Sequence, residues 1–375
     1  MNAPTLLVLG DICPPWGFSK DETPTPETVF CDALPLLRDA AVTLANLEAP
    51  ATLATQTADK NSVCLKARPS DLALLQAAGV DALGVANNHI LDFGTQGLCD
   101  TIQKASEIGL PLFGAGSLSD AAKPFFCTVG GKTVGVLAFA EQEFNCVTQS
   151  RIGANRWDDL DGVCAIAQAK AQCDYLVVLY HGGIEHHRYP SPLLQKRCRA
   201  MAAAGANLIT CQHSHCIGTR ERFADCEILY GQGNAVFGYR AGNDGWNRGL
   251  LLAVTVADTI QVRYLPVTAT ETGRCMLQKD DADALLAEME RASNALSDEA
   301  EIARLWNAFC QRQRDEYLPM LFGWGRVANK LNRLTHGRLV RLLTSRIARR
   351  NAMNLVRCAS HREVVTTLLE SEFSE

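Results

Sequence analysis

Up to about residue 255 the chain alternates short apolar runs with longer stretches in which apolar residues recur every three to four positions. The runs at residues 6–9, 41–45, 82–86, 132–140, 175–180 and 208–211 read as buried strands. Between them, residues 69–79, 95–109 and 193–205 carry helical spacing and end in glycine, a common helix terminator. Gly130-Gly131, set between the apolar runs 125–129 and 132–138, predicts a tight hairpin turn. Gly131-Lys132-Thr133 has the look of a phosphate-binding loop, but that loop requires glycine where Phe126 stands, so this reading is discarded. Strands and helices in alternation predict an α/β architecture with helices covering the sheet.

Beyond residue 280 the pattern changes. Residues 281–308 read as a charged helix, and residues 317–362 hold no Asp or Glu while ten Lys and Arg accumulate. The division expected is an α/β domain over residues 1–275 and a basic helical extension over residues 276–375. Arginines on helices ordinarily form a solvated face or pair with acid elsewhere in the same protein, and that is the favoured reading of the tail. The sharper alternative is attachment to an anionic membrane surface, because Trp324, Leu331, Leu334, Leu339, Leu342 and Leu343 interleave with the cations.

Composition adds little that discriminates. The 375 residues are 47% hydrophobic and 21% charged with a net charge of −5, ordinary values that give no chain-wide pull towards nucleic acid, which is not an expected partner. Fifteen cysteines, an odd number with no C-x-x-C pair among them, read as reduced thiols and favour a cytoplasmic location. The apolar run at residues 6–9 is too short for a signal sequence or a membrane span and lacks a basic leader.

The candidate chemistry lies at the strand ends. Six of the eight histidines fall in the α/β part, each at or just past a predicted strand, where α/β folds place their sites. The segments are Gly10-Asp11, Asn46-Leu47-Glu48, Asn87-Asn88-His89, His181-Gly182-Gly183-Ile184-Glu185 and His213-Ser214-His215. Singly, each has an ordinary explanation as a turn, a helix cap or a packed histidine. The His213-x-His215 pair is stronger, because on an extended segment residues two apart project to the same side. Five such segments in one domain favour a pair of divalent cations. Two cations about 3.5–4 Å apart repel each other, so a carboxylate must bridge them while imidazole and amide oxygen complete each shell. Mixed nitrogen and oxygen donors suit manganese, iron or zinc better than calcium.

In order and spacing these motifs resemble the CapA family of bacterial capsule and poly-γ-glutamate synthesis proteins, whose domain belongs with the calcineurin-like metallophosphoesterases. The matching pieces are Gly10-Asp11, Asn46-Leu47-Glu48, Ala86-Asn87-Asn88-His89-x-x-Asp92-x-Gly94-x-x-Gly97, His181-x-Gly183-x-Glu185, Pro190 with Gln195, His213-x-His215 and Gly233-Asn234-x-x-Phe237. The resemblance implies a metallophosphoesterase-like α/β/β/α sandwich carrying two divalent metal ions. It implies Asp11 and His215 as ligands of the first metal, Glu48 as the bridging carboxylate, and Asn88, His181 and His213 on the second. His89 matches the histidine that protonates the leaving group in related phosphoesterases, and Asp92 would orient it. Cys13, Asn46, Glu185, His186, His187 and Asn234 would stand behind the ligands or touch substrate. The pattern departs at Cys13, where phosphoesterases at large have histidine, and at Gln212, where the family commonly has another.

The implied function is two-metal hydrolysis of a phosphoester, linked to capsule or poly-γ-glutamate synthesis. The alternative is a non-hydrolytic, polymer-binding component of that synthesis. An anionic small molecule or polymer is the expected substrate. The tail is the expected contact to capsule-synthesis proteins or to an anionic membrane, with the protein cytoplasmic and peripheral to the inner membrane. Substrate choice is expected to lie in the loops at residues 14–26 and 141–159.

Overall fold

Every residue of the strand Thr5–Ile12 is buried, as an uninterrupted apolar run requires when neighbouring strands flank it and other layers cover both faces. The computed structural model describes residues 5–14, 23–60 and 62–372, so most of the loop at residues 14–26 lies outside the described residues. The expected strands at 6–9, 132–140, 175–180 and 208–211 fall within Thr5–Ile12, Lys132–Ala140, Tyr175–His181 and Leu208–Gln212, the one at 41–45 is shifted to Val42–Leu47, and the run at 82–86 is a strand only over Ala82–Gly84.

These strands divide between two sheets. The first runs Cys275–Leu277, Ile260–Ala269, Arg248–Val256, Thr5–Ile12, Val42–Leu47, Ala82–Gly84, Leu112–Phe113, with Asn234–Val236 also on Thr5–Ile12. The second runs Arg220–Phe223, Cys226–Leu229, Leu208–Gln212, Tyr175–His181, Lys132–Ala140, Phe125–Val129. Their inner faces share one buried cluster that takes Leu44, Leu83 and Leu252 from the first sheet and Val136, Val177 and Leu179 from the second. The approach is close at Gly84, where a Cβ would come within 3.2 Å of Leu179.

Helices cover the outsides. Asp161–Lys170 packs on Lys132–Ala140 and Tyr175–His181, and Pro192–Ala203 packs on Leu208–Gln212. Pro69–Ala77 and Gly94–Ile108 pack on each other and feed Leu72, Leu75, Leu98 and Ala105 into the same core. The architecture is the α/β/β/α sandwich expected. The hairpin is also as expected: Val129 pairs with Lys132, and Gly130 and Gly131 sit at φ 61° and 77°, the left-handed pair that a two-residue hairpin turn demands.

The chain forms two compact units, Met1–Ala303 and Arg304–Glu375. The first therefore continues past residue 275. Its helix Ala282–Ser293 packs on Arg220–Phe223 and Ile260–Ala269, and Gln195 donates to the Leu296 carbonyl at 3.0 Å. The second unit contains the helices Arg326–Leu334, Arg338–Leu343, Arg346–Arg357 and Ala359–Glu372. Among the described residues no helix is long and apolar enough to cross a membrane.

Candidate metal centre

Strand register brings the first donors together. Thr5–Ile12 pairs in parallel with Val42–Leu47 and with Asn234–Val236, setting Asp11 opposite both Asn46 and Asn234. That crossing needs Gly10, since any Cβ there would meet the Gly233 carbonyl oxygen at 2.2 Å. Glu48 follows Leu47 directly, and Asn88 and His89 follow the short strand Ala82–Gly84. In the second sheet His181 ends its strand opposite Gln212. The carboxyl ends of strands from both sheets thus face one place, as α/β sites do.

His213 and His215 reach that place by a different route from the one expected. They do not lie on an extended segment. The strand stops at Gln212, and both histidines have left-handed backbone, at φ 79° and 50°. Such a conformation costs about 1–3 kcal/mol at a residue with a side chain and persists only when its surroundings hold it. Here the His213 amide donates to Asp11 Oδ2 at 3.0 Å, so a carboxylate of the site helps to hold the turn that aims the imidazoles.

The centre itself is built around Glu48. Three donor groups have ligand atoms within 4.8 Å of one another: Glu48 with His181 and His213, Asp11 with Glu48 and His215, and Glu185 with His213 and His215. Glu48 belongs to the first two, the position a bridging carboxylate would occupy. Its Oε1 lies 3.4 Å from His181 Nε2 and 3.7 Å from His215 Nε2. Asn88 Oδ1 lies 3.0 Å from the same His181 nitrogen, so amide, imidazole and carboxylate converge.

Glu48 is wholly buried, yet neither of its oxygens has a hydrogen-bond partner. A buried carboxylate in that state is costly unless a cation or a proton neutralises it. Burial pushes its pKa up to about 8. Burial, then the Glu48 charge, pushes Asp11 up to about 7. A proton held between the two carboxyls is the alternative to a cation. Burial also draws His181 down to about 4, His213 to about 3 and His215 well below its ordinary value. Neutral imidazoles with free lone pairs beside two carboxylates starved of positive charge fit divalent metal ions.

The ring orientations are fixed from behind. His215 Nδ1 meets Asn234 Oδ1 at 2.9 Å, while Asn234 Nδ2 is spent on the Trp246 carbonyl at 2.9 Å. Asn46 donates to Asp11 Oδ1 at 2.7 Å, and Asn87 donates to Asn46 Oδ1 at 3.2 Å. Trp246 and Phe237 pack on His215 with ring centroids 4.6 and 4.7 Å away, so aromatic rings line this side of the centre.

His89 Nδ1 lies 2.6 Å from Asp92 Oδ2, a separation that puts the proton on Nδ1. Its Nε2 lies 3.9 Å from Glu48 Oε1, turned to the centre. Sequence reasoning missed Lys60, whose ammonium pairs with Asp92 Oδ1 and lies 3.2 Å from His89 Nδ1. Two donors so close are held together by the fully buried Asp92, which also accepts from the Leu65 amide at 2.6 Å.

The remaining expected residues divide. The Cys13 thiol donates to the Pro14 carbonyl at 3.2 Å. Burial and the nearby Glu48, Asp92 and Asp11 charges hold its pKa well above the usual thiol range. Glu185 and His186 are exposed at the rim, with the His186 ring 5.9 Å from Trp246. His187 belongs to none of the three donor groups and packs near Tyr189, with ring centroids 5.9 Å apart.

A two-sheet α/β domain with carboxylate, amide and imidazole donors at the carboxyl ends of its strands is of the metallophosphoesterase-like class. Within that class, the chain belongs to the bacterial capsule synthesis protein PGA_cap family, whose model matches residues 5–239. It is 30% identical over 228 residues to the PGA biosynthesis protein CapA of Bacillus subtilis, an alignment covering 59% of this chain and 58% of that one. The chain thus spans little more than half the length of that relative. It is 29% identical over 287 residues to a probable polyglutamine synthesis accessory protein of Mycobacterium tuberculosis, covering 70% of this chain and 75% of that one. Among solved structures, the 5'-nucleotidase of Candida albicans shows a weak likeness, with TM-score 0.39 and 11% identity over 84% of this chain and 59% of that one.

Proposed function

We propose that this chain hydrolyses a phosphoester with two divalent cations, manganese, iron or zinc, held by Asp11, Glu48, Asn88, His181, His213 and His215. The observation that carries this reading is Glu48, fully buried, unpartnered and common to two donor groups. When bound, the cations would neutralise phosphoryl charge and acidify water. The chain's own residues do the rest. Asn234 and Asn46 hold His215 and Asp11 in place. Asp92 and Lys60 fix the His89 ring with Nε2 inward, where it can pass a proton to a departing alkoxide. Phe237 and Trp246 line one flank with aromatic rings.

A second reading keeps the ligand site and drops hydrolysis. The names of the relatives, a biosynthesis protein and an accessory protein, favour it. In that case the centre binds an anionic polymer or phosphorylated precursor for a capsule or polyglutamate assembly. We propose a cytoplasmic location, peripheral to the inner membrane, under either reading; fifteen cysteines with no C-x-x-C pair among them support the first half.

The deciding experiment measures metal per chain in protein purified without chelator, then assays phosphomonoesters, phosphodiesters and γ-glutamyl peptides with manganese and with zinc. Metal-dependent turnover of a phosphoester supports hydrolysis. Bound metal with γ-glutamyl peptide binding and no turnover supports the second reading. Protein that takes up no metal overturns both.

A further inference from the structure

The helical tail combines a solvated face of cations with apolar side chains left in water. Residues 317–362 hold ten Lys and Arg and no acid. Within the second unit, among those whose side chains are described, only Arg333 has a carboxylate within ion-pair distance, Glu316 at 3.5 Å. These exposed cations fit the solvated face of the favoured expectation, so what sets this tail apart must be sought in its apolar residues.

The same helices expose apolar side chains in stripes. In Arg326–Leu334, Val327, Leu331 and Leu334 recur at helical spacing and are 77%, 49% and 71% exposed. Lys330 and Arg333 lie on a neighbouring stripe of that helix. Leu342 and Leu343 in the next helix are 80% and 70% exposed. The helix Arg346–Arg357 buries none of its residues. On it Arg346, Arg350 and Arg357 share one side, and Ala348, Ala352 and Leu355 lie across from them. Soluble surfaces rarely leave so many large apolar groups together in water.

We propose that the helices Arg326–Leu334, Arg338–Leu343 and Arg346–Arg357 lie on an anionic lipid surface, with their exposed leucines in the acyl boundary and their cations among the headgroups. An apolar face flanked by arginine is the signature of a helix lying in a membrane interface, and a run of ten cations with no acid among them is drawn to anionic lipid. A second copy of the chain would set ten cations against ten. A nucleic acid would satisfy the charge but leave the leucine stripe in water. Lipid satisfies both.

The test is co-sedimentation of the full chain with vesicles of phosphatidylcholine alone or with phosphatidylglycerol, at low and high salt. Binding is expected only where phosphatidylglycerol is present, falling by roughly tenfold or more at high salt as charge is screened. Leu331→Glu with Leu334→Glu, both exposed positions, should abolish binding while the melting temperature and metal content stay unchanged. Arg346→Glu with Arg350→Glu should do the same, as an independent check. Four results would overturn the proposal. They are equal binding to phosphatidylcholine, no binding to either, binding that survives the leucine changes but is lost to duplex DNA as competitor, and leucine changes that only split a dimer.

Discussion

Asn234 and His215 meet at 2.9 Å, oxygen to Nδ1, and this contact decides which imidazole nitrogen faces the centre. With Nδ1 donating to the amide, Nε2 keeps its lone pair 3.7 Å from Glu48. Partners behind a ligand set both tautomer and basicity, and their loss typically weakens metal affinity by roughly 10–100-fold. Asn234→Ala should therefore lower affinity by about that factor at the site shared by Asp11 and His215. Calorimetric titration of stripped protein with manganese or zinc checks it. An unchanged isotherm would remove Asn234 from that role.

Glu48→Gln separates charge from shape. The amide keeps the volume but cannot bridge two cations, so metal content should drop by at least one ion per chain and phosphoester turnover should vanish. With chelator present the same variant should melt above the parent at alkaline pH, because the parent then buries an unpaired carboxylate. A variant that melts lower under those conditions would show that Glu48 is stabilised by something other than a cation.

Without metal, stability should fall as pH rises from about 6.5 to about 8. Burial raises Asp11 from 3.8 to about 7 and Glu48 from 4.5 to about 8. The folded chain then holds protons that the unfolded chain has released, so stability present at low pH is lost as pH passes through the folded values. His181, lowered from 6.5 to about 4, and His213, lowered to about 3, act with the opposite sign but only below about 6.5. Across the upper window the carboxylates act alone. Melting curves of chelated protein should shift down with pH, and saturating metal should remove the shift. A chelated protein that gains stability across the window would contradict the site's electrostatics.

Cys13 stands where a histidine is usual in phosphoesterases, and its thiol is turned to Pro14 rather than to the centre. Metal binding needs thiolate, and burial among carboxylates keeps this thiol protonated. Cys13→Ser should leave metal stoichiometry unchanged. Loss of an ion in the serine variant would make the thiolate a ligand.

Much of this was legible in the sequence, for a physical reason: a strand buried on both faces must be apolar throughout, so runs such as residues 132–140 announce themselves. The donors were legible because they follow those runs. What escaped lacked such a signal. Lys60 lies in an irregular stretch 29 positions from His89, and no periodicity ties it to Asp92. The left-handed turn at His213 was hidden because imidazole carries no backbone preference strong enough to advertise it, while the Asp11 carboxylate that supports it is 202 residues away. The strands Arg248–Val256 and Ile260–Ala269 are absent from the strands expected, although they form a hairpin at the edge of the parallel core.

Lys60 offers the sharpest separation of positioning from folding. Its ammonium is nearly buried against a fully buried Asp92, and removing one member of such a pair leaves the other charge uncompensated, at a cost of about 3–5 kcal/mol. Lys60→Met should therefore lower the melting temperature, and Asp92→Asn in the same chain should restore most of it by removing the orphaned charge. Activity should not return with stability, because an asparagine at position 92 no longer holds His89 by its carboxylate. His89→Ala should lose roughly 10²–10⁴-fold in turnover with metal content unchanged, since His89 belongs to none of the donor groups. If the doubly substituted protein is both stable and fully active, then Asp92 and Lys60 serve only the fold, and His89 needs no orientation to act.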